Sequence, residues 1–312
     1  MQQVGKTQLK ALDYEMIEVG EEFGPAEIVV DEHRVRSFVY AVDDFNPWYL
    51  EDSPFGGPIA PPSMMASHDL WWQKYDPNTD RGIAATFELR FTGPVKVGQT
   101  VIAKARHAGK YIKRDKPYVF REAEVLGENG KLLLATRSEE MPHMKPGLRL
   151  GGETAAPPSS ERITPRVSAL PVVARARADV PVESPLPTIT KRVTLKQMVV
   201  FSAREGWWWE NMHTSNEFAT SIGLEQPIAA GLMSTAYLCE LCLRFFGESW
   251  FKGGWIRTVF VKPVYAEDTL QVKGIVSGQA EEAEGARLKL DMWCENQHGA
   301  MVTAGRASAP VG

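Results

Sequence analysis

Cysteine is scarce in this chain: Cys239, Cys242 and Cys294 are the only three in 312 residues. Three thiols cannot build a disulfide framework, which excludes the small disulfide-stapled scaffolds and fits a reducing, cytoplasmic setting. Cys239 and Cys242 form a C-x-x-C pair, but they sit in an apolar helical run with no second ligand pair nearby. Core packing is therefore the expectation for both, and Cys294, in an alternating strand, is read the same way. Charge of one sign is also lacking. With 35 Lys and Arg against 39 Asp and Glu, the formal net charge is -4, which gives no electrostatic case for nucleic acid. No apolar run approaches the roughly 18 residues of a membrane span. The start of the chain, Met1 to Leu12, lacks the apolar core of a signal peptide. What remains is ordinary for a globular protein long enough for two cores, at 44% hydrophobic and 24% charged residues.

What the sequence does have is a repeat. Adding 169 to a residue number carries Pro58-Ile59-Ala60 onto Pro227-Ile228-Ala229, Met64 onto Met233 and Phe91 onto Phe260. The same offset carries Pro94-Val95 onto Pro263-Val264, Thr100 onto Thr269, Gly109 onto Gly278, Gly130 onto Gly299 and Arg137 onto Arg306. Shared Gly, Pro and Phe landmarks in one gap-free register identify two tandem copies of one domain. The copies are expected at 1-145 and 187-312. The Pro-, Ala-, Ser- and Arg-rich stretch 146-186 is expected to be an extended linker between them.

Element order is the same in both copies. Asp31 and Thr194 are good N-caps for amphipathic helices over Asp31 to Val42 and Thr194 to Glu205. An apolar helix follows a loop in each copy, from Ser63 to Tyr75 and from Leu232 to Phe246. Strands with period-two alternation come next, most clearly Arg287-Leu288-Lys289-Leu290-Asp291-Met292. Glu128-Asn129-Gly130 and Gln297-His298-Gly299 mark hairpin turns in equivalent places. One helix on one sheet leaves an edge exposed, and pairing the two copies into a continuous sheet would cover it.

The loop before each apolar helix carries a resemblance. The first copy has Asp44-Phe45-Asn46-Pro47-Trp48-Tyr49, then Gly57-Pro58-Ile59-Ala60-Pro61-Pro62. The second has His213, Ala219, Gly223 and then Pro227-Ile228-Ala229-Ala230-Gly231-Leu232-Met233. In these residues the chain resembles the MaoC-like hydratase/dehydratase family, whose members carry Asp-x-Asn-Pro-x-His and a Pro-Ile-x-His-Gly-Met turn. The resemblance implies an α+β tandem, or double, hot-dog fold. In that fold each half is a long central helix wrapped by an antiparallel sheet, and the halves pair as a pseudo-dimer. It also implies reversible hydration and dehydration of 2-enoyl and 3-hydroxyacyl thioesters with R stereochemistry, through a His general base and a backbone oxyanion hole. The implied partner is an acyl-CoA substrate, with CoA part of the substrate, no other cofactor and no metal. Assembly as a monomeric pseudo-dimer or a homo-oligomer is implied, with no nucleic acid and no membrane.

Carried over residue by residue, the catalytic role falls on the second copy. His213 takes the His position and Gly231 supplies the oxyanion N–H. Five residues before His213 stands Trp208 rather than the family's Asp, so Asn211 or Glu210 is left to orient the water or the imidazole. In the first copy Tyr49 replaces the His, and Pro62, with no N–H, replaces the oxyanion glycine. Asp44, Asn46 and Tyr49 are therefore expected to bind substrate rather than to react, with Trp208, Trp209 and Ala230 as further binding residues. Two rival readings stay open. One is an acyl-thioester-binding subunit of low activity within a heteromeric hydratase. The other is a hot-dog thioesterase using an acidic residue of the central helix, Asp69 or Glu240. The tryptophan clusters Trp71-Trp72 and Trp207 to Trp209 are read as core and interface packing, with an aromatic-lined pocket as the alternative. Lys110, Lys113, Arg114 and Lys116 are read as a solvated turn.

Overall fold

The computed structural model describes residues 9–66, 69–79, 82–144, 154–156, 162–204, 206, 209–282 and 285–311. The first half contributes β1 (Glu22–Val29), α1 (Glu32–Val42), β2 (Ile83–Phe91), β3 (Thr100–Lys113), β4 (Lys116–Gly127) and β5 (Leu132–Met141). The second contributes β6 (Ile189–Arg192), α2 (Leu195–Arg204), α3 (Asn216–Ser221), α4 (Gly231–Phe246), β7 (Trp255–Phe260), β8 (Thr269–Glu282), β9 (Gly285–Glu295) and β10 (Met301–Val311).

Apart from a separate short parallel sheet, in which Lys10–Ala11 pairs with Tyr75–Asp76, the strands form one antiparallel sheet of ten in the order β1-β3-β4-β5-β2-β7-β10-β9-β8-β6. Read from either edge, this is the same series of equivalent strands, so the halves meet at a two-fold pseudo-axis between β2 and β7. Glu88 pairs with Arg257 across that seam. They are also partners under the 169-residue offset, which puts the pseudo-axis through this pair. The halves share even their irregularities. The β3–β4 ladder slips between His107 and Gly109, and the β8–β9 ladder slips between Val276 and Gly278, the equivalent place. Gly130 and Gly299 both turn their hairpins with positive φ, at 76° and 72°, a region open to glycine without strain. The seam is tied by side chains as well: Trp255 Nε1–H donates to Glu88 Oε1 at 2.8 Å, and Phe38 of α1 packs on Phe201 of α2. This is the expected double hot-dog, α+β arrangement.

The caps also match the expectation. Asp31 accepts the N–H of Arg34 at 2.7 Å. Thr194 and Gln197 form a reciprocal box, with Gln197 Oε1 accepting the Thr194 N–H (3.0 Å) and Thr194 Oγ1 accepting the Gln197 N–H (3.3 Å). Residues 173–186 pass beside the C-terminal end of α4 and β8 through two turns, with Val180 N–H on the Arg177 carbonyl, Ser184 N–H on the Pro181 carbonyl, Ala176 N–H on the Phe245 carbonyl and Leu186 N–H on the Gly274 carbonyl.

The central helices differ, which corrects one expectation. In α4 every side-chain-bearing residue except Arg244 is buried, Cys239 and Cys242 included, as an all-round apolar helix requires. Among the described residues, the first half shows no long helix where Ser63 to Tyr75 was expected. Its described residues there make turns and a short 3₁₀ segment, Asp69–Gln73. The reason lies beneath it. α4 rests on Leu288, Leu290, Met292, Ala307 and Ala309, all buried and apolar. The offset places Val119, Arg121, Ala123, Ser138 and Glu140 under the first-half segment, a floor that gives an apolar helix little to bury against. Pro61 and Pro62 also lack the N–H groups that a helix start could present.

Candidate active site

A cavity of about 360 Å³ with mostly apolar walls lies between the halves. One wall comes from the second half: His213, Ile228, Ala229, Ala230, Gly231 and Phe260 among others. The opposite wall comes from the first half: Trp71, Trp72, Phe87, Arg121, Ser138 and Glu140 among others.

His213 is buried, with 9% of its surface exposed. Its Nδ1 lies 2.7 Å from the Ile228 carbonyl oxygen. A carbonyl can only accept, so Nδ1 carries the proton and Nε2 carries the lone pair. Burial, only partly offset by that carbonyl, pushes the imidazole pKa down to about 4 and keeps the ring neutral at pH 7. The carbonyl thus does by main-chain geometry what a carboxylate partner would do in fixing the tautomer. It belongs to the Pro227-Ile228-Ala229 turn, which is held in place by Ile228 N–H on the Met212 carbonyl (3.1 Å) and Ala229 N–H on the Val264 carbonyl (2.7 Å).

Asn211 braces the loop and not the ring. Its Oδ1 accepts the backbone N–H of His213 at 2.8 Å, and its Nδ2–H donates to the Trp209 carbonyl at 3.1 Å. Glu210 is exposed and accepts weakly from Ser215 Oγ–H at 3.4 Å. It does not line the cavity. Trp209 lines a small separate hollow behind His213 with Asn211 and Phe218. Trp208 lies outside the described residues.

Gly231 opens α4 beside His213. A Cβ there would stand 2.6 Å from the Phe260 ring, so the helix start and Phe260 can close on each other only with glycine. The first-turn N–H groups of a helix have no acceptor within the helix and concentrate positive potential there. Ala230, the residue before, joins the cavity wall.

Asp44, Asn46 and Tyr49 do not meet this cavity. Ile59 N–H binds the Trp48 carbonyl (2.9 Å) just as Ile228 N–H binds the Met212 carbonyl, so Tyr49 is the structural counterpart of His213. Its hydroxyl donates to Asp44 Oδ2 at 2.9 Å, and both side chains are buried. Burial, reinforced by the Glu240 carboxylate, raises the Asp44 pKa to about 7. Glu240 itself is sealed in an ion pair with Lys191 (2.7 Å) and does not line the His213 cavity. Asp44 and Asn46 instead line a polar hollow with Arg175 and Arg244.

Lys110 departs from the solvated-turn expectation. It is buried, and its ammonium donates to the Ile17 carbonyl at 2.7 Å. Sequence reasoning also missed the Ile228 carbonyl, a main-chain group with no side-chain signature. It missed Arg121 as well. The offset sets Arg121 opposite Leu290, a difference that becomes meaningful only once both are seen to face inward.

Comparisons with known proteins bear on the fold. Residues 178–296 match the model of the MaoC like domain, and residues 18–135 match the FAS1-like, dehydratase domain region. No curated protein sequence matches the chain. Among solved structures, a MaoC-like dehydratase superposes with a TM-score of 0.74 at 13% identity, covering 96% of this chain and all of its own. A putative MaoC domain protein dehydratase from Chloroflexus aurantiacus gives 0.69 at 10% identity, with 99% and 98% covered. A Mycobacterium tuberculosis protein with a double hotdog fold gives 0.66 at 13% identity, with 96% and 98% covered. At these identities the structures speak to fold alone. Together, the two domain matches and the paired ten-stranded sheet give this chain a double hot-dog fold, with a MaoC like domain over residues 178–296 and a FAS1-like dehydratase region over residues 18–135.

Proposed function

We propose that the protein is a hydro-lyase that hydrates 2-enoyl thioesters and dehydrates 3-hydroxyacyl thioesters, with acyl-CoA as the substrate and R stereochemistry at the new centre. One observation carries this: a neutral imidazole of fixed tautomer stands beside a glycine-opened helix start on the wall of a cavity long enough to span both halves. In hydration, His213 Nε2 takes a proton from water as the hydroxyl oxygen bonds to C3 of the enoyl group. The C2=C3 electrons move toward the thioester oxygen, where the N–H of Gly231 and the α4 dipole hold the developing negative charge. The proton then passes from the imidazolium to C2. Dehydration runs the same steps backward. Asn211 is a positioning residue, since it fixes the backbone of His213. Ile228 supplies the partner that the family takes from an Asp.

The test is loss of enoyl-thioester absorbance on addition of water across short, long and aromatic enoyl-CoAs, with wild type and His213→Ala side by side. Turnover that vanishes in the variant supports the reading. Undiminished turnover in the variant sinks it. A folded wild type inactive toward every substrate would favour the binding-subunit reading.

A further inference from the structure

The inner face of the first-half sheet is built unlike its twin. β4 and β5 pair Arg121 with Ser138, Ala123 with Thr136 and Val119 with Glu140. In the second half the equivalent pairs are Leu290 with Ala307, Met292 with Gly305 and Leu288 with Ala309. The fold therefore accepts an apolar floor here. The first half replaces four of its positions with Arg121, Ser138, Thr136 and Glu140, all on the cavity wall.

Arg121 is 95% buried. Its Nη1 pairs with Glu140, and its guanidinium lies 4.7 Å from the Trp71 ring centre, which fixes its plane. Nε and Nη2 have no hydrogen-bond partner. These two atoms form the side-on edge of a guanidinium, the edge that receives both oxygens of a carboxylate. A buried cation with two idle donors is costly to hold, so the arrangement favours a ligand that completes it. Glu122, Glu139 and Glu140 share the cavity wall with Arg121 and Lys262, so the case for an anion rests on the two idle donors of Arg121. Lys110 is buried nearby on backbone carbonyls. Burial above all, with smaller contributions from Arg121, Lys10, Lys74 and Lys110, holds the pKa of the neighbouring His107 ring down to about 2.

Building on the hydro-lyase reading, we infer that the acyl group of the substrate carries a carboxylate remote from the thioester, received side-on by Arg121 with Ser138 and Thr136 on the same floor. The first half is then the specificity half: it reads the far end of an acyl chain whose thioester end lies at His213.

Binding of saturated acyl-CoAs, which cannot be hydrated, tests this apart from catalysis. Succinyl-, glutaryl- and adipyl-CoA are titrated calorimetrically against butanoyl-, pentanoyl- and hexanoyl-CoA. At least one carboxylated ligand is expected to bind roughly 10- to 100-fold more tightly than its methyl-ended equivalent. In Arg121→Met that ratio should fall to near one. The double variant Arg121→Leu, Glu140→Ala installs the residues that the second half already packs at these two positions, Leu290 and Ala309, and it should lose the ratio too. A wild type without preference for any carboxylated ligand, or a preference that survives both variants, overturns the inference. A preference seen in a protein that hydrates no enoyl-CoA would sink the hydro-lyase reading and leave this one standing.

Discussion

The two halves of this chain share a sheet order, a bulge and a pair of glycine turns, yet they have opposite interiors. The second half buries a long apolar helix on an apolar floor and keeps a neutral histidine at that helix's start. The first half has turns and a short 3₁₀ segment, a polar floor, and a buried Tyr49–Asp44 pair where the histidine would be. The difference teaches that the two halves play separate parts at one cavity. In the first half Pro62 offers no N–H for an oxyanion, and its polar floor forms the wall opposite His213.

The comparison can be broken most severely at His213. His213→Ala should lower kcat/KM by about 100- to 10,000-fold, as removal of a general base does. Adding Tyr49→His to that variant should restore nothing, because Pro62 offers no N–H; recovery in the enoyl-CoA assay would show that the halves are less different than their geometry. Next in size is Gly231→Ala, whose new Cβ must displace Phe260 or the start of α4. An overpacking cost of about 1–3 kcal/mol in chemical denaturation and a clear fall in turnover are expected. The equivalent position in the first half is already Pro62.

A pH comparison sharpens the contrast, because the two sites titrate in opposite senses. His213 has its pKa depressed by burial, so the unfolded chain binds that proton more readily. Its contribution to stability is present above about pH 6.5 and is lost as pH falls toward 4. Asp44 has its pKa raised, so its contribution is intact at low pH and is lost as pH rises from the ordinary carboxylate range to about 7. Asp44→Asn should therefore gain stability relative to wild type between pH 4 and pH 7, while the acid limb of kcat/KM, set by His213, stays near pH 4. A constant stability difference across that range would contradict the buried, raised Asp44. The smallest effect is expected from Tyr49→Phe, which removes one buried hydrogen bond: about 1 kcal/mol in urea denaturation and unchanged enoyl-CoA turnover.

Much of this was legible in the residues. The 169-residue register announces the duplication, the capping residues place α1 and α2, and the spacing from His213 to Gly231 singles out one half. What was hidden has physical reasons. The partner of His213 is a carbonyl, and any residue at position 228 would carry one. The first-half helix failed because of what lies beneath it, and Ser63 to Tyr75 does not say what it will rest on. Arg121 looked like one charge in an alternating strand, where inward and outward positions differ only by parity. Asn211, named with Glu210 as the residue to orient the water or the imidazole, makes its bonds to the backbone instead, and the sequence carries no mark of that.

The tether between the halves has one more consequence. In an assembly of two identical chains about a two-fold axis, every substitution is made twice, and a charge introduced on one side of the cavity is also introduced on the other. Joining the copies in one chain removes that constraint. The pair Glu88 and Arg257, sitting on the axis itself, already records it, since an exact two-fold would require the same residue at both positions. Freed from duplication, one side could become a reader of chain ends and the other remain a place for proton transfer, with neither change imposed on its twin.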